Sequence, residues 1–177
     1  KRMSYTGVTK MLDGDEEALR ENEEFVPMIR MMSELSEILR ERRGKRGSID
    51  FDFPETKIEL DEDGRPKEIR PYERNAATKI IEDFMLLANE TVAEEYFWRE
   101  LPFLYRTHDV PDEEKMRQLA AFINNFGYHI HMRNEVRPKE IQKLLAKAEG
   151  TPEEPLISRL ALRSMKQARN TTENTGH

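Results

Sequence analysis

The spacing of apolar residues changes along the chain, and this change constrains the fold more than any other feature of the sequence. From Phe25 to Leu39 and from Ala77 to Val92, apolar residues recur at intervals of three and four, which is typical of amphipathic helices. Between these segments, from Ser48 to Phe53, they alternate with polar residues, which is typical of a strand. The sequence therefore predicts an α+β (mixed α/β) fold, with helices packed around a few short, mainly antiparallel strands.

Turn and capping signals place the predicted elements along the chain. Asp61-Glu62-Asp63-Gly64 predicts a turn between a strand that ends near Leu60 and a return strand over Lys67–Arg70. The other predicted elements are a short helical segment at 5–12, helices over about 25–43 and 72–97, a strand within 102–107, a helix from Asp109 to Gly127, and helices at 138–148 and 153–168. Residues after Asn170 are predicted to form a loop.

Composition limits the class of protein. Apolar residues make up 37% of the 177 residues and charged residues 36%, so either the core is lean or part of the surface is covered by something that this chain lacks. The absence of cysteine excludes a disulfide scaffold, a cysteine zinc site and a thiol nucleophile. No apolar run is long enough for a membrane span, and a net charge of −6 argues against a generic polyanion binder. We expect a cytoplasmic protein with no membrane partner.

One pair of acidic residues and one pair of histidines are each candidates for a metal site. Asp50 and Asp52 would share one face of a strand, and hard cations bind clustered carboxylates, but no third acidic residue has a suitable spacing. A polar strand face is the stronger interpretation. His129 and His131 alternate in the same way without a further zinc ligand nearby, so exposed histidines in a polar loop are the stronger interpretation there.

Two other polar groups have both a functional and a structural interpretation. His108 follows a predicted strand and is a candidate for catalysis or for capping the next helix, although no matched nucleophile is visible. Arg159, Arg163 and Lys166 recur at helical spacing and either neutralise phosphates or form a solvated helix face.

A line of polar residues lies beside the apolar face of the helix predicted over 72–97. Asn75, Glu82 and Asn89 are seven residues apart and therefore fall on one line. Their side chains either bind a polar ligand such as a ribose or satisfy neighbouring protein groups. Spacing alone leaves these two interpretations open.

Several strings in order resemble the ribonuclease II/ribonuclease R family of exoribonucleases, and are closer to its ribonuclease R branch. The resemblance covers nearly the whole chain, and its most specific parts are the strings at 79–89 (KIIEDFMLLAN) and 104–111 (LYRTHDVP). Supporting strings are found at 46–51 (RGSIDF), 162–168 (LRSMKQA) and 174–177 (NTGH). Asn170 departs from the family, in which this position is often tyrosine.

The resemblance implies a processive 3′-to-5′ exoribonuclease that hydrolyses single-stranded RNA to nucleoside 5′-monophosphates with magnesium. In this family an aspartate cluster upstream of the matched strings holds the metal, so the resemblance implies no catalytic and no metal-binding residue in this chain. The chain opens at Lys1 without an initiator methionine and closes on part of a family motif. We therefore expect residues 1–177 to be one interior segment of the catalytic domain, truncated at both ends, inactive alone, and completed by the remainder of its parent chain.

Three RNA-binding positions carry over from the family. Tyr5 matches a tyrosine that lines the RNA channel, Phe51 an aromatic that stacks on a base near the 3′ end, and Glu82 a glutamate that contacts ribose and helps to select RNA over DNA. The alternative hypothesis is a non-catalytic helical module that binds other proteins.

Overall fold

The structure, a computed structural model, describes residues 1–51, 53, 55–72, 74–131 and 137–175. Its contacts divide the chain into two units. Unit 1 contains Lys1–Arg42 and Asp52–Asn89, and unit 2 contains Arg43–Phe51 and Glu90–His177. A single segment at 1–177 was the expectation from the sequence, and the assignment of both units to one domain stays a prediction.

The described elements confirm an α+β fold, with helices and short antiparallel strands. In chain order they are α1 (Tyr5–Asp13), α2 (Glu16–Glu21), a 3-10 turn (Glu23–Phe25), α3 (Val26–Arg46), β1 (Glu55–Leu60), β2 (Pro66–Tyr72), α4 (Ala76–Trp98), β3 (Tyr105–Thr107), α5 (Glu113–Asn124), α6 (Pro138–Ala148), α7 (Glu154–Ser164) and β4 (Arg169–Thr171). No helix in the described part of the chain is both long and apolar enough to cross a membrane.

Side-chain caps start the first two helices of unit 1. The Ser4 hydroxyl accepts a hydrogen bond from the Gly7 amide at 3.1 Å, and the Asp15 carboxylate accepts one from the Ala18 amide at 2.8 Å. The sequence did not predict α2, because its acidic residues show no apolar period. A small apolar cluster that contains Met11, Ala18 and Ile29 holds these helices together.

The hairpin of unit 1 has the predicted turn but begins later than predicted. β1 and β2 pair antiparallel with Ile58 opposite Ile69, and the Asp61 carboxylate accepts hydrogen bonds from the turn amides of Asp63 and Arg65. The strand predicted from Ser48 to Phe53 was wrong, because residues 48–51 and 53 have no regular structure. Their alternation arises instead because Ile49 and Phe51 pack against the core of unit 2.

Helix α4 differs from its prediction at its start and on its apolar face. Tyr72 belongs to β2, and the helix begins four residues later, at Ala76. Ala77 and Ile80 are buried as predicted, whereas Met85 is 60% exposed. In the described structure, the predicted apolar face is therefore only partly covered.

Unit 2 has the larger apolar core. α5, α6 and α7 contribute its buried residues, which are Met116, Leu119, Ile123, Ile141, Leu144, Ala148, Ile157 and Ala161. The chain first enters this unit at Arg43, in the last turn of α3. The helix ends before Gly47, whose φ of +108° suits glycine and whose amide donates a hydrogen bond to the Arg43 carbonyl at 3.1 Å.

Two boundaries in unit 2 correct the sequence prediction. α7 ends at Ser164 rather than near Ala168. Arg169–Thr171 forms β4, whose last residue, Thr171, lies within the segment after Asn170 that the sequence predicts as a loop. β4 pairs antiparallel with β3, with Arg106 opposite Asn170. A three-residue strand is too short to show a period, so the sequence alone carried no signal for it.

Candidate functional site

Glu82 lies two turns into α4 and is held by an arginine that precedes the helix. The Arg74 Nε and Nη2 atoms both donate to Glu82 Oε2, at 3.0 and 2.8 Å. Glu82 Oε1 accepts no hydrogen bond from the described residues. The Glu82 side chain is 46% exposed, so this second oxygen can accept a hydrogen bond from a ligand at the surface.

The residue that follows Glu82 is a fully buried acid. Asp83 Oδ2 accepts a hydrogen bond from the Ser36 hydroxyl of α3 and another from Arg40 Nη2, the latter at 2.7 Å. A buried carboxylate needs such donors, because water no longer solvates its charge. These directional bonds fix the rotation of α4 against α3 within unit 1, and they thereby fix the direction in which Glu82 leaves the helix.

The predicted line of Asn75, Glu82 and Asn89 has mixed roles. Asn75 precedes the first residue of α4, and its side-chain oxygen accepts a hydrogen bond from the Thr78 amide at 2.9 Å. The Asn75 carbonyl accepts another from the Thr78 hydroxyl at 2.8 Å. Asn75 is therefore a helix cap, whereas Asn89 is exposed.

Tyr5 and Phe51, the two aromatic candidates, belong to different units. Tyr5 is half-exposed in unit 1, and it is the first residue of helix α1 rather than part of the strand that the sequence suggested, because Ser4 caps a helix there. Phe51 belongs to unit 2 and packs, partly buried, against its apolar core. Glu82 belongs to unit 1 with Tyr5.

His108 and His129 contact other groups within the fold. His108 does not cap α5, because Asp112 does so by accepting a hydrogen bond from the Lys115 amide at 3.1 Å. The His108 Nε2 atom lies instead against the Lys166 carbonyl oxygen. His129 Nδ1 lies 2.7 Å from Asn124 Oδ1 in an exposed segment that is not a strand.

The described residues do not fit a magnesium site. Nowhere in the described ranges do three histidine, cysteine or acidic side chains converge as metal ligands. Asp52, one member of the predicted acidic pair, lies outside the described residues. The resemblance implies a metal for the parent, and the described part of this chain supplies no ligand set that would hold it.

The basic row predicted on the last helix is broken by the end of that helix. Arg159 and Arg163 lie on α7, but Lys166 lies beyond its last residue, Ser164. Elsewhere in unit 2, Lys143 Nζ contacts the Glu140 carboxylate at 2.8 Å. This hydrogen bond, together with the charges of Lys143, His131 and Lys147, lowers the pKa of Glu140 below its ordinary value.

Sequence reasoning missed two residues that shape the surroundings of Glu82. Asp83 lies three residues after Ile80, within the predicted apolar face, and an acid at such a position signals a buried polar partner. Arg74 carried no comparable signal, because it lies outside the helix and eight residues from the group that it contacts.

Comparison with known proteins identifies the family. The model of the RNB domain matches residues 1–177. Ribonuclease R of Aquifex aeolicus is 42% identical over 176 residues, which are 99% of this chain and 25% of that relative. Ribonuclease R of Thermotoga maritima is also 42% identical, over 178 residues that cover all of this chain and 25% of the relative. The chain thus spans about a quarter of the length of these relatives.

Solved structures give the same result. Mycoplasma genitalium RNase R in complex with ribose methylated single-stranded RNA matches with a TM-score of 0.86 at 26% identity, over 99% of this chain and 28% of that one. The same protein in complex with double-stranded RNA also matches with a TM-score of 0.86 at 26% identity, over 99% of this chain and 31% of that one. The resemblance seen in the sequence is confirmed, and this chain belongs to the RNB domain family, which includes ribonuclease R.

Proposed function

We propose that this chain is an interior segment of the catalytic domain of a processive 3′-to-5′ exoribonuclease, which hydrolyses single-stranded RNA to nucleoside 5′-monophosphates. The observation that carries the proposal is the match of 99% of the chain to an RNase R bound to single-stranded RNA. The family match over residues 1–177 favours this function over a helical protein-interaction module. The remainder of the parent chain, in the cytoplasm, completes the enzyme.

In this proposal the chain supplies part of the wall of the RNA channel. Glu82 accepts a hydrogen bond from a ribose 2′-hydroxyl through the carboxylate oxygen that Arg74 does not occupy. Tyr5 presents a half-exposed ring, and Phe51 presents the uncovered part of its ring to a base near the 3′ end. Stacking on Phe51 tolerates any base, as a nuclease that degrades RNA regardless of its sequence requires.

The metal chemistry belongs to residues outside this chain. Magnesium, when bound in the parent, stabilises the charge that develops on the attacking and leaving oxygens of phosphodiester hydrolysis. The described residues of this chain offer no converging set of ligands for it. The chain alone is therefore expected to lack nuclease activity.

The test uses single-stranded RNA labelled at its 5′ end, incubated with the full-length protein and magnesium. We expect a short labelled end product to accumulate with few intermediates, and we expect a chelator to prevent this. RNA labelled at its 3′ end should release labelled nucleoside monophosphate at once. Internal cleavage, or shortening from the 5′ end, would overturn the proposal.

The 177-residue chain is assayed in parallel under the same conditions. It should leave the RNA intact even at a large molar excess over the amount of full-length protein that degrades the same RNA completely. Robust trimming by the chain alone would show that the metal site lies within it.

Phe51 needs a pair of variants, because its ring also packs in the fold. Phe51→Leu keeps most of the apolar volume but removes the aromatic stacking surface, which contributes about 1–3 kcal/mol per base. In the full-length protein this variant should change the length of the final RNA product while leaving the melting temperature close to that of the wild type. Phe51→Ala should change both. An unchanged end product in Phe51→Leu would remove Phe51 from the RNA-binding residues.

A further inference from the structure

The ion pair of Arg74 and Glu82 has an unusual span. Pairs on the surface of one helix are normally separated by three or four residues, whereas these two are eight apart. Arg74 lies before the Asn75 cap and contacts the second turn of α4 from outside the helix. The cap fixes the backbone just before α4, next to Arg74, so the Arg74 side chain starts from a defined position.

The pair leaves one carboxylate oxygen available. The Arg74 Nε and Nη2 atoms both donate to Oε2, and the Glu82 side chain has no other hydrogen bond within the part of the chain that the structure describes. A carboxylate held by two donors through one oxygen cannot rotate freely, so the range of directions open to the lone pairs of Oε1 is restricted. The Arg74 side chain is 24% exposed and Glu82 46%, so the held group lies at the surface, where a ligand can reach it.

The ion pair of Arg74 and Glu82 contributes little to the stability of the folded protein. Ion pairs that are exposed to water gain little stability, because solvent screens the charges and two long side chains lose freedom. The fold of unit 1 is held by its apolar cluster and by the buried bonds of Asp83. The main consequence of the Arg74 contact is thus the orientation of Glu82.

We propose that Arg74 is a positioning residue for ribose recognition, which holds the Glu82 carboxylate by Oε2 so that Oε1 accepts the 2′-hydroxyl of bound RNA. This inference rests on the proposed function of Glu82. A flexible glutamate would lose conformational freedom when RNA binds, and this loss would weaken binding. A glutamate held by Arg74 has already lost that freedom in the folded protein. Loss of Arg74 should therefore weaken selection for ribose while leaving contacts to the rest of the RNA in place.

The experiment measures kcat/KM of the full-length protein on two single-stranded substrates. One is all RNA, and the other carries single 2′-deoxynucleotides placed in turn at each position near the 3′ end. The ratio of the two values is the ribose preference. The variants are Arg74→Ala, Arg74→Lys, Glu82→Ala and the double variant, and the matched control is Arg70→Ala, which removes an exposed ion pair with Glu59 in the hairpin.

We expect Arg74→Ala to lower the ribose preference at one position by about 2- to 10-fold, the range that corresponds to immobilising one flexible side chain. Arg74→Lys should lie between this variant and the wild type, because an ammonium group lacks the rigid pair of donors. Arg70→Ala should leave the preference unchanged. In the Glu82→Ala background, Arg74→Ala should have no further effect.

Three results would exclude the role of Arg74 alone, and a fourth would exclude the ribose contact of Glu82 as well. The role of Arg74 is excluded if Arg74→Ala slows both substrates equally, or if it still lowers the preference when Glu82 is absent. If Glu82→Ala removes the preference and Arg74→Ala does not change it, Arg74 alone is excluded. If Glu82→Ala itself leaves the preference intact, the ribose contact of Glu82 fails, and the role of Arg74 fails with it.

Discussion

Unit 1 and unit 2 hold their helices by different means. Unit 2 is closed by apolar side chains, among which Ile123, Ile141 and Ile157 are completely buried. Unit 1 has a smaller apolar cluster and, in addition, a buried polar group in which Asp83 accepts hydrogen bonds from Ser36 and Arg40. Apolar packing tolerates small adjustments of helix rotation, whereas directional bonds to a charged group do not.

The difference matches the residues that each unit carries. Under the proposed function, Glu82 of unit 1 needs a defined direction to bind ribose, and its neighbour Asp83 bonds α4 to α3. In unit 2, the proposed role of Phe51 needs only a flat ring surface, and packing against an apolar core is sufficient to hold such a ring. Buried polar groups often give little net stability, so unit 1 should be the less stable unit per buried residue.

The largest expected effect is on the core of unit 2. Ile141→Ala should lower the free energy of unfolding by about 2–5 kcal/mol, because it removes buried apolar atoms and leaves a cavity. The matched control, Ile58→Ala, changes an isoleucine that is 54% exposed in the hairpin and should cost less than about 0.5 kcal/mol. Native-state hydrogen exchange at the amides of α6 in the full-length protein measures the effect. Equal exchange in both variants would show that the core does not stabilise unit 2.

A smaller effect is expected at the buried polar group of unit 1. Arg40→Ala removes a hydrogen-bonded cation from the buried Asp83 carboxylate and should cost about 1–3 kcal/mol, measured by hydrogen exchange at the amides of α4. Because paired apolar replacements restore packing, Arg40→Met combined with Asp83→Leu should recover most of this loss. A double variant as unstable as Arg40→Ala would mean that the charged group itself, rather than its pairing, stabilises the unit.

The smallest effect is expected at the surface of unit 2. Lys143 lowers the pKa of Glu140, so the ionised form of Glu140 stabilises the folded state above the pKa that this group has when unfolded. That contribution is lost as the pH falls through the lowered, folded-state pKa. Glu140→Gln should therefore be slightly less stable than the wild type near neutral pH and equally stable in acid. A stability difference that persists in acid would contradict this assignment.

The sequence predicted the fold where a period or a turn signal was present. The apolar spacing gave α3 and α6 closely, and the Asp61–Gly64 signal gave the hairpin. Prediction failed at α2, whose acidic residues show no period, and at residues 48–51, whose alternation reflects packing against a core built from distant residues. Such long-range packing overrides the local pattern and cannot be read from spacing.

The residues of the candidate site were also predicted only in part. The motif string at 79–89 identified Glu82 as a candidate RNA-binding residue, because the residues that form this motif are contiguous in the sequence. The contact that holds it comes from Arg74, eight residues away and outside the helix, and the bonds of Asp83 reach back more than forty residues to α3. Only the folded chain brings these groups together.

The most direct test of the central claim, that this chain reads the ribose of an RNA substrate, is the ribose preference of the full-length Glu82→Ala variant. A hydrogen bond to a charged acceptor contributes about 1.5–3 kcal/mol, so the preference for RNA over the 2′-deoxy substrate should fall by about 10- to 150-fold. Glu59→Ala, which removes an acid of the hairpin, is the control and should leave the preference unchanged. An unaltered preference in Glu82→Ala would contradict the account.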